Sequence, residues 1–272
     1  MAVKIAFLGG GNMASALIGG LLGQGWSPSD LAVTDIDPAA RARLSAGFGV
    51  RAEEDPRAAL TGSDCAVLAV KPQQLAALVQ PLAADLAPRL VVSIAAGIRT
   101  PDLSRWLDGH RRLVRAMPNT PALLRAGVSA AFATDGVSET DRAGADALLA
   151  AVGKVLWVRD ESLLDGVTAV SGSGPAYAFY LVEAMQEAAR QLGFSEAEGR
   201  LLSVQTLLGA ARLAEASEET AATLRARVTS RGGTTERAIS VMDGHHVREH
   251  LVEAVLAAAQ RSRELGDALG SG

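Results

Sequence analysis

The chain has almost no cysteine and no excess of positive charge. Cys65 is the single cysteine, which excludes an internal disulfide, and its place in the apolar run 65–70 predicts a buried, unreactive thiol. Lys and Arg number 26 against 30 Asp and Glu, a net charge of −4. Because no helix-spaced face collects basic residues, we expect no binding to nucleic acid or to anionic membranes.

Long apolar runs are also missing, so no segment reaches the length of a membrane span. The first residues lead directly into a predicted strand, and we therefore expect no signal peptide and a cytoplasmic protein. The histidines at 245, 246 and 250 lack a third ligand at a plausible spacing, so we expect no metal site and interpret them as an exposed polar face.

The order of predicted elements indicates two domains. Strands and helices alternate as far as residue 160, which is typical of an α/β fold with a doubly wound parallel sheet. Beyond residue 161 only helices are predicted, over 175–192, 195–216, 219–228, 234–242 and 247–269. We therefore expect a Rossmann-type domain over 1–161 and an all-helical domain over 162–272. The helical domain is so apolar that we expect it to bury itself against a second chain, as a dimerisation domain.

The first fourteen residues carry the clearest motif. A buried strand over 5–8 is followed by Gly9, Gly11 and Ala14 in the spacing Gly-x-Gly-x-x-Ala, and then by a helix over 12–22. This arrangement brings a pyrophosphate to the exposed N–H groups of a helix N-terminus. Asp35 follows a second strand at the spacing of a ribose-binding acid. The alternative is an ordinary turn between a strand and a helix.

Four predicted strand ends form loops that are expected to share one edge of the sheet: residues 9–14, 70–72, 95–97 and 117–121. Together they would line a cofactor from its phosphates to its nicotinamide, although each could be an ordinary turn. Lys71 is the one cation among them, and a solvated lysine is as plausible as a phosphate contact.

Two loops lie in the helical half. Residues 171–175 predict the start of a long helix, with Ser173 or Gly174 at the cap and Pro175 at the first position. Residues 228–235 place two glycines and three hydroxyls before the next helix, a composition that favours an anion-binding nest for a small carboxylate. A flexible connection between two helices remains the alternative.

Six stretches together resemble the pyrroline-5-carboxylate reductase family, over nearly the whole chain. They are Gly-Gly-Gly-Asn-Met-Ala (9–14), Ala-Val-Lys-Pro (69–72), Ser-Ile-Ala-Ala-Gly (93–97), Met-Pro-Asn-Thr-Pro (117–121), Val-Ser-Gly-Ser-Gly-Pro-Ala-Tyr (170–177) and Gly-Gly-Thr-Thr (232–235). The resemblance implies reduction of 1-pyrroline-5-carboxylate to L-proline by hydride from NADPH or NADH, the last step of proline biosynthesis. It also implies a homodimer of interleaved helices, often assembled further into a decamer.

The resemblance also implies the site residues. The expected cofactor-binding residues are Leu8, Gly9, Gly10, Gly11, Asn12, Met13, Ala14, Asp35, Ala69, Val70, Lys71, Pro72, Ala95, Ala96, Gly97 and Asn119. The expected substrate-binding residues are Glu218, Ser230, Gly232, Gly233, Thr234 and Thr235. Thr235 is also the candidate catalytic proton donor or relay. No strong acid or base is needed, because the protonated ring nitrogen makes the imine accept hydride readily and the protein mainly orients it.

This chain departs from the family pattern at two positions. Arg231 replaces the proline of the family's Ser-Pro-Gly-Gly loop, which adds a cation near the expected carboxylate site. Asp35 stands where the family often has small or hydroxyl residues suited to a 2′-phosphate. We therefore expect use of both cofactors with a lean toward NADH, with Arg41 and Arg43 softening the repulsion of a 2′-phosphate.

Two other functions fit part of the pattern. A 3-hydroxyacid dehydrogenase also joins a Rossmann domain to a helical one, but it needs a lysine near the start of the long helix, and residues 174–185 contain none. A non-catalytic dinucleotide-binding or scaffold protein would keep the glycine turn without the reaction. Cofactor oxidation on addition of pyrroline-5-carboxylate separates that class from a reductase.

Overall fold

A computed structural model describes residues 3–270 and divides the chain into two compact units. The first, here the sheet unit, runs as far as Ser173 and resumes at Ala258; the second, the helical unit, is Gly174–Ala257. The last helix therefore contributes to both units. The functional division at 161/162 remains a prediction, since the compact units divide later in the chain.

Eight strands form one sheet in the order β3-β2-β1-β4-β5-β6-β7-β8. The strands are β1 Ile5–Leu8, β2 Leu31–Thr34, β3 Arg51–Glu53, β4 Cys65–Leu68, β5 Leu90–Ser93, β6 Leu113–Met117, β7 Gly127–Ala133 and β8 Gly153–Trp157. Strands β1, β2, β4 and β5 are short apolar runs that are buried on both faces, as parallel strands covered by helices are. The predicted Rossmann-type sheet is confirmed. Its strand order reverses between β1 and β4, the position where such sheets bind ligands.

One pair in the sheet is not parallel: β6 and β7 run in opposite directions, with Ala116 opposite Ala131. The predicted parallel sheet thus contains one antiparallel pair. Met117 and Gly127 are joined by a short connection that contains a 3₁₀ helix over Thr120–Leu124. A parallel crossover needs about a dozen residues or more, so this connection permits only a reversal of direction.

Within residues 3–173, eight α-helices belong to the sheet unit. They are α1 Asn12–Gly23, α2 Pro38–Phe48, α3 Pro56–Leu60, α4 Pro72–Val79, α5 Ala83–Leu86, α6 Thr100–Trp106, α7 Glu139–Ala150 and α8 Leu163–Val167. Asp37 and Asp55 cap α2 and α3, and Ser138 forms a capping box with Asp141 at α7. Helices α4 and α5 are separated by a 3₁₀ turn at Gln80–Leu82, because Pro81 cannot continue the α-helical hydrogen bonds.

Two details near these helices concern how they begin. Arg99 occupies the N-cap of α6, and Thr100 is its first residue. The segment before the long helix is not an open loop but a π-helix, Thr168–Gly172, in which the Ser173 N–H donates to the Thr168 carbonyl (2.8 Å). Such π-helical turns are rare and often lie at functional sites.

The helical unit consists of α9 Gly174–Gln191, α10 Glu196–Glu215, α11 Ala221–Arg227, α12 Thr234–Gly244 and the first part of α13 Val247–Gly270. All five predicted helices are confirmed within two residues at each end. Helices α9 and α10 pack on each other around Ala189, Gly199 and Ser203, which are buried. Most of the other side chains in the unit are exposed.

Three expectations from the sequence concern the described residues directly. Cys65 lies in β4, is buried, and has its pKa raised by burial to about 12, so its thiol is protonated at neutral pH. None of the helices within residues 3–270 combines the length and apolarity that a membrane crossing needs. The same residues contain no group of three or more His, Cys, Asp or Glu placed to hold a metal ion.

Candidate active site

The turn after β1 needs a glycine at its first position. Gly9 has φ +109°, and a Cβ there would lie 2.7 Å from the Ala69 carbonyl oxygen. Its N–H donates to the Thr34 carbonyl (2.9 Å), so the turn is fixed against the end of β2. The motif glycine therefore allows the ends of β1, β2 and β4 to approach each other closely.

Gly11 has a different role, because nothing in the protein crowds it. Apart from its own local backbone, no heavy atom of residues 3–270 lies within 4 Å of the place where its Cβ would be. Gly11 is the N-cap of α1, and among the described side chains none caps this helix. The first N–H groups of α1 thus face open space, which is how a helix N-terminus receives a pyrophosphate.

A cavity of about 450 Å³ opens beside this turn at the carboxyl ends of the strands. It is lined by residues 9–11, by Asp35 and Ile36, by Glu54, and by residues 69–71 with part of α4. These are the ends of β1, β2, β3 and β4, around the point where the strand order reverses. The cavity therefore joins three of the predicted cofactor groups: the glycine turn, Asp35 and the 69–71 loop.

The Asp35 carboxylate is held in place by two backbone groups. Its Oδ2 accepts from the Gly10 N–H (2.8 Å), and its Oδ1 accepts from the Asp37 N–H (2.9 Å). Each carboxylate oxygen has two lone pairs, so each retains one for a ribose hydroxyl. Asp35 thus has two roles at the cavity: it orients the glycine turn and it presents negative charge.

The two arginines expected near a 2′-phosphate are bound to the protein. Arg41 Nη1 donates to the carbonyls of Asp35 (2.8 Å) and Ile36 (3.2 Å), and its Nη2 forms an ion pair with Glu54 (3.1 Å). Arg43 Nη2 donates to the Gly10 carbonyl at 3.4 Å, a long hydrogen bond. Glu54 was not identified from the sequence, because β3 is only three residues long and has no apolar run to reveal it.

Lys71 lies in the loop after β4, and residues 95–97 form the loop after β5. Lys71 is exposed, lines the cavity and occupies the N-cap of α4. Ala95 and Gly97 are buried, and Gly97 has φ +80°. A Cβ on Gly97 would lie 3.2 Å from Leu269, so the final turn of α13 packs directly on this loop.

Asn119 is expected to contact the cofactor, but its amide is used within the protein. Its Nδ2 donates to the Ser171 carbonyl and hydroxyl (both 3.2 Å), and its Oδ1 accepts from the Val128 N–H (3.0 Å). The residue therefore joins the end of β6 to β7 and to the π-helix. Contact between Asn119 and the cofactor remains a prediction. Because these bonds occupy the side-chain amide, the backbone of Asn119 is the part of the residue that can make that contact.

A buried ion pair that the sequence did not reveal lies in the same unit. Arg115 on β6 is 3.0 Å from Glu161, with side chains 5% and 15% exposed. Glu161 also accepts from the Thr100 N–H (2.8 Å) and hydroxyl (2.5 Å). The Thr100 hydroxyl thereby joins α6 to residue 161. A buried pair of this kind is invisible to sequence patterns, because its members are far apart in the chain.

The predicted substrate loop lies in the helical unit, at the start of α12. Gly233 is the N-cap with no described side chain capping it, and Thr234 and Thr235 form the first turn. Gly232 has φ +72°, and its N–H donates to Glu236 Oε2 (2.7 Å). Glu236 was not identified from the sequence. Its carboxylate accepts from one N–H donor of the proposed anion-binding nest, and the N–H groups of the first turn of α12 remain to bind an anion.

The other predicted substrate residues are on the surface of the single chain. Ser230 and Glu218 are exposed, and Glu218 lies in the connection between α10 and α11. The neighbouring Glu219 forms an ion pair with Arg227 at 2.6 Å, across α11. The connection is thereby tied to the end of α11, close in sequence to the 228–233 loop.

Family models match both parts of the chain. Residues 161–265 match the model described as pyrroline-5-carboxylate reductase dimerisation, and residues 4–97 match the model described as NADP oxidoreductase, coenzyme F420-dependent. The first covers the helical unit, and the second covers the glycine turn, Asp35 and the loops after β4 and β5. The predicted combination of a dinucleotide-binding sheet with a helical dimerisation domain is confirmed.

Full-length relatives agree with these matches. The chain is 47% identical to the pyrroline-5-carboxylate reductase of Pseudomonas aeruginosa over 268 residues, 98% of each chain. It is 41% identical to the solved structure of a pyrroline-5-carboxylate reductase from Coxiella burnetii, with a TM-score of 0.93 over 97% of this chain and 99% of that one.

A Plasmodium falciparum pyrroline carboxylate reductase, solved with NADP bound, shares the fold at 24% identity. Its TM-score is 0.87 over 97% of this chain and 98% of that chain. The identities to the bacterial relatives extend over the whole length, and they agree with the six stretches that first indicated the resemblance. The chain belongs to the pyrroline-5-carboxylate reductase family of NAD(P)-dependent oxidoreductases.

Proposed function

We propose that this chain reduces 1-pyrroline-5-carboxylate to L-proline with hydride from NADPH or NADH, and that it favours NADH. The observation that carries the proposal is the glycine turn, in which Gly11 faces open space at the start of α1 while Gly10 holds the Asp35 carboxylate. That geometry suits a dinucleotide pyrophosphate next to a ribose-binding acid. Oxidation of NADH on addition of the imine is the direct test, and binding without turnover would favour the scaffold alternative.

The reaction needs orientation more than strong acid–base chemistry. When bound, the reduced nicotinamide supplies the hydride for the carbon of the protonated C=N bond, which becomes the δ-carbon of proline as the cofactor is oxidised. The protein's task is to hold the nucleotide through the 9–14, 69–72 and 95–97 loops, and the substrate carboxylate through residues 230–235. Thr235 holds or relays the proton at the ring nitrogen, with Glu218 as a neighbour of that nitrogen.

The preference for NADH is proposed from charge. Asp35 and Glu54 both line the cavity, and two carboxylates repel a 2′-phosphate while a ribose hydroxyl can donate to Asp35. Asp35→Ser should lower kcat/KM for NADH about tenfold and that for NADPH less, because a hydrogen bond to a charged group is lost. Asp37→Ser is the matched control, since Asp37 only caps α2. An unchanged NADPH to NADH ratio in Asp35→Ser would mean that Asp35 does not contact the ribose.

The substrate loop has its own test. Thr235→Ala should lower kcat/KM for the imine by roughly 10- to 150-fold, from the loss of about 1.5–3 kcal/mol in a hydrogen bond to a charged group. NADH binding, measured by fluorescence, should stay within about twofold of wild type, a difference of about 0.4 kcal/mol. Thr229→Ala is the control, because the Thr229 hydroxyl is already bonded to the Arg225 carbonyl (2.7 Å). Normal turnover in Thr235→Ala would remove this loop from the substrate site.

Arg231 is an alternative partner for the substrate carboxylate in the same loop. Arg231→Pro restores the family's residue, and it should be tolerated if Arg231 is only a loop substitution. A raised KM for the imine would instead assign the substrate carboxylate to the Arg231 guanidinium.

The assembly is proposed from the exposed apolar surface of the helical unit and from its match to a dimerisation model. The chain acts as a homodimer, with further assembly into a decamer as the finer proposal, and it works in the cytoplasm. The functional domains are residues 1–161 for the cofactor and residues 162–272 for substrate and dimerisation. Sedimentation of the purified protein distinguishes a dimer from a decamer by mass.

A further inference from the structure

One ion pair at the cofactor cavity has no role in the proposed chemistry. Glu54 lines the cavity next to Asp35 and Ile36, and its Oε2 is 3.1 Å from Arg41 Nη2. The Glu54 side chain is 81% exposed, whereas that of Arg41 is only 18% exposed. The guanidinium is thus largely withdrawn from solvent, and its acid partner stands at the edge of the cavity.

The rest of Arg41 is held by the loop that follows β2. Its Nη1 donates to the carbonyls of Asp35 and Ile36, the residues where a ribose-binding acid is expected. Glu54 is fixed in turn through its backbone, because the Thr34 hydroxyl donates to the Glu54 carbonyl (3.1 Å). The ends of β2 and β3 therefore hold the guanidinium and the carboxylate in contact.

This arrangement bears on the 2′-phosphate that distinguishes NADPH from NADH. An arginine is the side chain best suited to bind a phosphate dianion, through two parallel N–H donors. Arg41 is attached to the loop next to the expected ribose position, but Glu54 neutralises its charge and occupies one of its terminal nitrogens. While that pair is closed, the cavity presents the negative charges of Asp35 and Glu54 and no free guanidinium from Arg41.

We propose that Glu54 determines the cofactor preference of this chain by holding Arg41 away from a 2′-phosphate. NADH binds with the pair closed. NADPH must separate Arg41 from Glu54 before the guanidinium can turn to the phosphate, and the separation weakens its binding. The inference rests on the proposed nucleotide site and goes beyond it, since it assigns the discrimination to Glu54, the residue that follows β3, as well as to Asp35.

The test is a pair of substitutions with a matched control. Glu54→Gln keeps the size of the side chain but releases Arg41, and it should raise kcat/KM for NADPH relative to NADH by about three- to tenfold. Glu53→Gln is the control, because Glu53 is the preceding residue and pairs weakly with Arg51 (3.8 Å) instead. It should leave the ratio unchanged.

A double variant separates the release of Arg41 from a general loss of negative charge. In Glu54→Gln with Arg41→Ala, most of the gain for NADPH should disappear, because the phosphate partner is gone and only the loss of the Glu54 charge remains. A double variant that keeps the full gain of Glu54→Gln would overturn the proposal and assign the effect to the charge of Glu54 alone. An unchanged ratio in Glu54→Gln would overturn it as well.

Direct titration of wild type with each nucleotide distinguishes a wrong nucleotide site from a wrong role for Glu54. If wild type binds neither NADH nor NADPH, the nucleotide site itself is wrong and this inference fails with it. If wild type binds both nucleotides and Glu54→Gln binds them in the same ratio as wild type, only the inference about Glu54 fails.

Discussion

The sheet unit buries most of its large apolar side chains, whereas the helical unit exposes many of its own. Phe7, Leu17 and Leu68 are 0% exposed in the sheet unit. On α9, Phe179 and Tyr180 are 65% and 77% exposed, and Leu201 on α10 is 61% exposed. Apolar side chains of this size rarely stand in contiguous patches on the surface of a protein that works as a single chain.

The difference shows that the two units are stabilised in different ways. The sheet unit has two apolar clusters of its own, one on each face of the sheet, and helices that cover them. The helical unit has little buried beyond the contact of α9 with α10, so its stability depends on what covers its exposed surface. Because that unit matches a dimerisation model, a second copy is the expected cover.

The largest expected effect contrasts ion pairs in the two units. Glu161→Ala leaves the buried Arg115 guanidinium without its partner, which should lower the free energy of unfolding by about 3–5 kcal/mol in a denaturant titration. In the helical unit, Glu187 pairs with Arg190 at 2.6 Å on the exposed face of α9. Glu187→Ala should leave the unfolding midpoint unchanged. Equal effects at the two sites would contradict the difference in burial.

The next expected effect compares a buried leucine of the sheet unit with an exposed leucine of the helical unit. Leu17→Ala in α1 removes a fully buried side chain and should cost about 2–5 kcal/mol of unfolding free energy, without changing the dissociation constant of the dimer. Leu201→Ala should do the reverse: the dissociation constant should rise, measured by sedimentation over a dilution series. A Leu201→Ala protein that dissociates like wild type would place that side chain outside the interface.

The smallest expected effect concerns α13, which belongs to both units. Asp267 pairs with Arg99 (2.7 Å), next to the 95–97 loop, whereas Glu264 pairs with Arg261 within the helix (2.9 Å). Asp267→Asn should raise KM for NADH by about two- to fivefold with little change in kcat, as expected from an exposed pair worth up to about 1 kcal/mol. Glu264→Gln is the control and should leave KM unchanged. A change in kcat alone would exclude a positioning role for the pair.

The elements with local signals could be predicted from the sequence. The strand over Ile5–Leu8, the glycine turn and Asp35 were found because apolar runs, glycine spacing and an acid at a strand end are properties of neighbouring residues. The five C-terminal helices were found for the same reason, since their apolar residues recur with helical spacing. Strand ends and composition also indicated the loops at 70–72, 95–97 and 228–235, and family resemblance then implied roles for their residues, which remain predictions.

The features that depend on distant partners could not be predicted. Strand β3 has no apolar run and forms only because β2 pairs with it. Two contacts join segments that are far apart in sequence: the ion pair of Arg115 with Glu161 and the hydrogen bond from Asn119 to Ser171. The antiparallel direction of β7 could have been predicted from the sequence, because the connection from β6 is too short for a parallel crossover.

The central claim is that the helical unit is completed by a second copy of the chain. Light scattering with size-exclusion chromatography on the wild-type protein at micromolar concentration tests it most directly. The account predicts a mass of at least two chains, with the helical content intact. A mass of one chain of 28.0 kDa with the same helical content would contradict the account, because the exposed apolar surface of Gly174–Ala257 would then have no cover.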